Sequence, residues 1–528
     1  MPTTAPPTRP ARPMKPAKAP AAVSDSTGRS RKVEATVNER PIAKPAKSQR
    51  AIESEVDAID VEHAPAVITA SRTGLVKIPA ILTSAAFAEF SSLVDKVEAH
   101  TGISTSTLST ASFVQNAIAS GCLMYDFVCG GGVAPRRFTI TPGREGSGKS
   151  TLVNYLASTC VLQGTPIYWF DAEGALSPDY VSKIFSKFGL RFNELLGIRD
   201  MKNKARWDVP PIIRYSDDSI GERVFNTMHG MLKLLPTVRQ DSNGNWWKLI
   251  VTKTRKDWVE DEREGKPQYL FIVDSWPALL PEAIDENPDK SPMAVQARMF
   301  SDNIKLVKSL LSQKNCLLFS TNQLRLNPGV RMGDPTYEPG GEALKFYSDN
   351  RTRIMRVSPN TAGVPSGAGA KYSEEPGLNG GVDRFVYAKI QNTKNKAFAP
   401  FRESTFRIRF LKDGSPGDGI CESWDCASFL TATGQMLQRG NTMTMHVRPV
   451  KEKGRDNPIF DEGQRISRAQ FKELVESPQY KRAVYMHCLR QIRSGYAFQL
   501  ERESVSRLIV AGGEESAAVA SDDNGLEA

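Results

Sequence analysis

One stretch constrains the fold of this chain more than any other: Phe138-Thr-Ile-Thr-Pro-Gly143-Arg144-Glu145-Gly146-Ser147-Gly148-Lys149-Ser150-Thr151. A β-rich run leads into Gly-x-x-x-x-Gly-Lys-Ser, and apolar periodicity follows at Leu152, Val153, Tyr155 and Leu156. Glycines at this spacing let backbone N–H groups curl round a triphosphate at the start of a helix. Lys149 then reaches the β- and γ-phosphates, and Ser150 offers its hydroxyl to Mg²⁺. A chance glycine turn would lack the flanking strand and helix. The stretch implies a nucleoside triphosphate held on an open α/β sheet.

Further apolar runs supply the neighbours such a sheet requires. Ile167-Tyr-Trp-Phe170 ends at Asp171-Ala172-Glu173, and Tyr269-Leu-Phe-Ile-Val273 ends at Asp274-Ser275. Carboxylates at the C-terminal ends of parallel strands sit beside the phosphate loop. Asp274 fits the acid that holds Mg²⁺ through water. Glu173 fits a general base that polarises the attacking water, with an ordinary strand-end carboxylate as the plainer alternative. A fourth run, Asn315-Cys-Leu-Leu-Phe-Ser320, ends in Thr321-Asn322-Gln323, where an amide can sense the γ-phosphate.

Glu145, Asp171-Ala-Glu-x-Ala-Leu-x-Pro178, Val273-Asp-Ser275 and Asn322-Gln323-Leu-Arg325 occur in that order. They are followed by Gly340-Gly-Glu-Ala-Leu-Lys-Phe-Tyr347, Lys394-Asn-Lys396 and Ala399-Pro-Phe401. Over roughly residues 105–435, with a weaker echo to about 495, the chain resembles the bacterial strand-exchange recombinase family, RecA and its phage relatives. The resemblance implies a RecA-like P-loop ATPase core with a central, mostly parallel sheet, an N-terminal helical segment and a small α+β C-terminal domain. It implies ATP and Mg²⁺ as cofactors. Gly143, Arg144, Glu145, Gly146, Ser147, Gly148, Lys149, Ser150 and Thr151 would cradle the phosphates, and Tyr180 would stack on the base. Ser150 and Asp274 would serve the Mg²⁺, Glu173 would be the catalytic acid–base group and Gln323 the γ-phosphate sensor.

The same resemblance implies that Lys394 and Lys396 reach across a filament interface to a neighbour's ATP, with Phe346 linking that interface to DNA. Two loops, about Ala283–Ala294 and Leu324–Gly341, would line the filament axis. Arg298, Lys305, Arg325, Arg331, Met332, Gly340 and Gly341 would contact single-stranded DNA, with solvated loop charge as the plainer reading of the arginines. The partners implied are single-stranded DNA, double-stranded DNA and further copies of the chain in a helical filament. Departures stand out against this pattern. Met332 replaces an aromatic wedge, Pro328 a second apolar wedge, Glu342 an uncharged DNA contact and Ser177 an acid that recognises the adenine amine. Gly174 replaces a residue beside the catalytic glutamate.

The spacing between Asp171 and Asp274 is 103 positions, roughly twice what the resemblance leads one to expect. The excess centres on residues 236–268. There Ser242-Asn-Gly-Asn245 predicts a hairpin turn into Trp246-Trp-Lys-Leu-Ile-Val251. Such a hairpin most often packs its tryptophans on the body, and a basic–aromatic DNA or partner surface is the alternative.

Charge needs locating before it is used. The chain of 528 residues has a formal charge of +10, but residues 1–50 hold eleven Lys/Arg against three Asp/Glu, so most of it belongs to a tail. The division expected is a disordered basic Pro/Ala-rich tail at 1–62, an oligomerisation segment at 63–104 and the ATPase core at 105–437. A small C-terminal domain at 438–500, ending in a helix pair at Arg468–Val475 and Tyr480–Ile492, and an acidic tail at 501–528 complete it. No run approaches 18 apolar residues, which argues against a membrane span. Seven scattered Cys argue against a disulfide scaffold and for a reducing cytosol, and the resemblance implies the cytoplasm of a bacterial or phage-infected cell, near its nucleoid. The function expected is DNA-stimulated ATP hydrolysis in homologous pairing. A helicase or loader motor on the same core, and a non-catalytic single-strand coat protein, are the rivals.

Overall fold

The computed structural model describes residues 117–199, 207–241, 244–252, 254–286, 292–326, 336–364, 366–367, 369–376, 381–411, 416–445, 463–477 and 481–494. Both expected tails, the segment 63–104, Pro328, Arg331 and Met332 lie outside the described residues.

Runs of β-branched and aromatic residues without polar alternation need cover on both faces, which parallel sheets supply. The central sheet follows this rule. Its strands are β1 (Phe138–Gly143), β2 (Ile167–Asp171), β3 (Ile213–Ser216), β4 (Leu270–Asp274), β5 (Leu317–Gln323) and β6 (Asn350–Val357). Then come β7 (Ser373–Pro376), β8 (Val382–Asn395), β9 (Glu403–Leu411) and β10 (Pro416–Ile420). The order is β10-β9-β8-β6-β1-β5-β4-β2-β3, with β7 paired to β8. From β3 to β6 all neighbours are parallel, and the wing from β6 to β10 is antiparallel. Burial separates the two halves: every residue of β4 is buried, whereas β8 alternates buried with partly exposed positions.

The side-chain period of two divides each inner strand between two apolar cores. Leu270 and Ile272 join one and Phe271 and Val273 the other; Phe319 and Leu318 divide likewise. The first core is covered by helices α1 (Leu123–Cys129), α2 (Lys149–Leu162) and α3 (Pro178–Lys187). The second is covered by α4 (Gly221–Leu234) and α5 (Pro292–Gln313). At its centre, buried Trp276 stacks on Phe225 with ring centroids 5.5 Å apart and donates its indole N–H to Ser320 Oγ at 2.6 Å. The short helix α6 (Glu342–Tyr347) leads into β6.

The insertion is a three-stranded antiparallel sheet, Thr237–Gln240, Trp246–Val251 and Lys256–Glu260. Its tryptophans divide. Arg136 lies over the Trp246 ring at 4.9 Å, so that side chain packs on the body. Arg239 covers Trp258 at 3.9 Å, and Trp247 donates to Asp241 at 2.9 Å, within the insertion.

Past the sheet, α7 (Glu422–Ala432) precedes a small antiparallel sheet of Met436–Arg439, Thr442–Met445 and Arg465–Ser467. Helices α8 (Arg468–Glu476) and α9 (Lys481–Arg493) follow, the first opened by a capping box between Ser467 and Gln470. Phe471, Val475, Val484, Leu489 and Ile492 enter the same core as α1 and α2. The C-terminal α+β segment thus shares the core beneath the central sheet. All seven cysteines are buried free thiols.

Candidate active site

Backbone conformation explains the phosphate loop. Gly146 and Gly148 have φ of +65° and +94°, which L side chains rarely adopt. A Cβ at Gly148 would also meet Ile408 Cδ1 at 2.6 Å. Helix α2 starts at Lys149, so its first N–H groups face the loop. Lys149 Nζ donates to the carbonyls of Gly143 and Arg144, at 3.0 and 2.9 Å. Burial holds its pKa below the usual lysine value, against the opposing pull of Asp274, Glu173 and Glu145. Ser147 is buried, while Arg144, Glu145 and Ser150 are exposed.

Parallel register brings the acids beside this loop. Asp171 lies directly opposite Asp274. Burial pushes the Asp274 carboxyl up, resisted by hydrogen bonds from Thr321 and Ser150 and reinforced by the charge of Glu173. Ser150 and Asp274, the two residues expected to serve Mg²⁺, therefore meet. Both offer hard oxygen donors, which suits that ion when phosphate oxygens and water supply the remaining ligands. Among the described residues no group of three or more His, Cys, Asp or Glu can hold a metal.

Glu173 stands on the turn after β2. Asp171 shapes that turn, accepting from the N–H groups of Ala175 at 3.3 Å and Leu176 at 3.0 Å and from Tyr215 OH at 2.9 Å. Gly174, with φ of +61°, supplies the left-handed residue the turn requires. Glu173 Oε1 accepts from Ser275 Oγ and from Gln323 Nε2, the latter at 3.0 Å. The expected base and the expected sensor are thus in direct contact. Ser275, Tyr215 and Thr321 escaped the sequence reading as contributors, and Asp171 was read only as a strand-end carboxylate. Ser275 and Thr321 adjoin residues already singled out, whereas Tyr215 gives no local signal because it arrives from β3.

Tyr180 lies on the first turn of α3, which Ser177 caps. Its hydroxyl is 2.8 Å from Thr151 Oγ1, which sets the ring at the edge of the phosphate loop.

Lys394 and Lys396 find their partners elsewhere. Lys394 Nζ donates to the carbonyls of Lys345 and Phe346 at 2.8 and 2.9 Å, capping the end of α6. Lys396 lies 3.3 Å from Asp349, which Lys308 and Arg137 also approach at 2.8 and 3.6 Å. Phe346, on the turn that Lys394 caps, is 71% exposed. Arg298 and Lys305 are exposed on α5, the former 3.6 Å from Asp302. Arg325 and Leu326 pair with Tyr337 and Thr336, closing the base of the second loop. Gly340 and Gly341 have φ of +94° and +75°, and a Cβ on them would meet Phe300 at 2.8 Å and Ala297 at 3.0 Å. That close approach lays the end of the loop on α5 near Arg298. Glu342 forms a 2.7 Å ion pair with Lys345.

Residues 265–415 match the family described as the RecA N-terminal domain. The chain is 26% identical over 326 residues to protein RecA of Aquifex aeolicus, covering 61% of this chain and 72% of that relative. Against protein RecA of Clostridium botulinum it is 28% identical over 297 residues, 56% of this chain and 64% of the relative. Against protein RecA of Synechococcus elongatus it is 26% identical over 343 residues, 65% and 75%.

Proposed function

The chain is a divergent member of the RecA family, and on that premise we propose that it is a DNA-dependent ATPase that assembles on single-stranded DNA and pairs it with homologous duplex. The observation that carries the reading is the bond from Gln323 to Glu173 beside Lys149 and Asp274. It supplies a base and a phosphate sensor in one hydrogen-bonded unit.

In this mechanism Glu173, held by Ser275, orients and deprotonates the attacking water. Lys149 leaves the Gly143 and Arg144 carbonyls for the β- and γ-phosphates. Ser150 and Asp274 would hold Mg²⁺, which neutralises phosphate charge when bound. Gln323 exchanges its bond to Glu173 for the γ-phosphate. Tyr180 provides a face for the base, with Thr151 fixing its hydroxyl. The phosphate cradle is Gly143 to Thr151.

Completion of the site calls for a second copy. Lys394 and Lys396 are held by α6 and Asp349, and from there they serve a neighbour's triphosphate in a filament, where extra cations stabilise the transferring phosphoryl group. Exposed Phe346 belongs to the same contact. DNA lies along Arg298, Lys305, Arg325 and Arg331, with Met332 as the apolar wedge and Gly340 and Gly341 allowing close backbone approach. The setting that suits this chemistry is the cytoplasm of a bacterial or phage-infected cell. Incubation with ATP and a circular single strand, followed by addition of homologous linear duplex, tests the pairing step. Joint molecules that require homology are expected; homology-independent unwinding would contradict the reading and favour a motor on the same core.

A further inference from the structure

Glu338 follows directly on the short ladder that closes the second loop. It is 5% exposed, deep for a carboxylate. Its Oε2 accepts from Asn322 Nδ2 at 3.2 Å, and its Oε1 accepts from Arg351 Nη2. Asn322 Oδ1 accepts from the N–H of Gln323 at 2.9 Å, and Gln323 Nε2 donates to Glu173 at 3.0 Å. On the far side, Arg351 Nη1 donates to Thr393 Oγ1 at 3.0 Å, and the β6–β8 register sets Arg351 opposite Lys394. Arg353 ties Thr336, on the same arm of the loop, to β6 at 2.8 Å. One buried carboxylate therefore joins the sensor strand, the return arm of the loop and the strand pair carrying Lys394. Sequence reading passed over it, because a Glu in a Gly- and Pro-rich loop gives no sign of burial.

We propose that Glu338 is a positioning residue that passes the state of Gln323 to the second loop and to the strand carrying Lys394. The inference rests on the ATPase reading above. Gln323 and Asn322 share a peptide, so a shift of Gln323 toward a γ-phosphate moves the Asn322 amide. Glu338 holds both that amide and Arg351, and a buried charge with a poor alternative to its partners transmits such a shift rather than absorbing it.

The test compares full-length wild type with Glu338→Gln in ATP turnover across a range of single-stranded DNA concentrations. Turnover without DNA is expected to stay near the wild-type rate, while the stimulated rate falls about tenfold, within the usual range for coupled sites. Glu338→Gln removes the carboxylate that Arg351 meets here, so the neutral pair Glu338→Gln/Arg351→Gln is measured beside it, with urea midpoints for both. The double variant is expected to recover the midpoint and to remain poorly stimulated. Full stimulation of the folded double variant would overturn the proposal and leave the pair a structural one. A wild type indifferent to DNA would instead overturn the ATPase reading. Hydrogen exchange at the Tyr337 and Glu338 amides, with and without ATP, then decides the inference separately. A nucleotide response in wild type that Glu338→Gln lacks supports it; an equal response in both, or none in wild type, overturns it.

Discussion

Asp126 shows how one buried group sets a pH dependence. Its Oδ1 accepts from the Ser120 N–H at 2.9 Å and its Oδ2 from Tyr485 OH at 3.1 Å, so it ties α1 to α9. Burial nevertheless pushes its pKa up to about 6, outweighing those bonds and the nearby Arg493. A folded-state pKa above the unfolded value means that the folded form holds the proton more tightly. The stabilisation is complete below the ordinary aspartate value of 3.8 and is lost as pH rises to and through about 6. Asp425, also raised by burial, acts in the same direction. Thermal unfolding is expected to show the wild-type midpoint falling between about pH 4 and about pH 6. Each tenfold difference in proton affinity between the folded and unfolded chain corresponds to about 1.4 kcal/mol. Asp126→Asn is expected to flatten that slope, and an unchanged slope would count against the assignment.

At the scale of elements, legibility followed burial. The runs that became β2, β4 and β5 are largely apolar because both faces are covered, β1 alternates Phe and Ile with buried Thr, and each ends at a residue of the site. The antiparallel wing was illegible for the opposite reason. Arg407 and Arg409 lie in β9 with partners distant in sequence, Arg407 with Glu375 at 2.6 Å and Arg409 with Glu476 at 2.8 Å. The third strand of the insertion, Lys256–Glu260, carries three charges in five residues and gave no strand signal. Trp246, Trp247 and Trp258 belong to neither apolar core. Replacing residues 239–259 by a short Gly-Ser linker is therefore expected to leave DNA-stimulated ATP turnover near the wild-type rate. Loss of soluble, folded protein on excision would show instead that the insertion supports the body.

At the scale of the whole molecule, the sequence indicated the residues of the candidate site but not how the body closes round them. Its C-terminal helices were expected in a small domain of their own because they resemble that of the family, yet their apolar faces enter the core over α1 and α2. The proposed assembly extends the same logic beyond one chain, since the Glu173 site and the Lys394–Lys396 pair have different partners. Neither Glu173→Gln nor Lys394→Ala/Lys396→Ala is expected to turn over ATP on DNA alone. Mixed, they are expected to regain part of the wild-type rate, because a site with intact Glu173 can then face a neighbour with intact lysines. No recovery in the mixture would contradict a shared site. The most direct measurement is ATP turnover with and without single-stranded DNA, for wild type and Glu173→Gln. The account predicts stimulation by DNA in wild type and its loss in Glu173→Gln with nucleotide binding retained. DNA binding without any change in turnover would contradict it and favour a protein that coats single strands without catalysis.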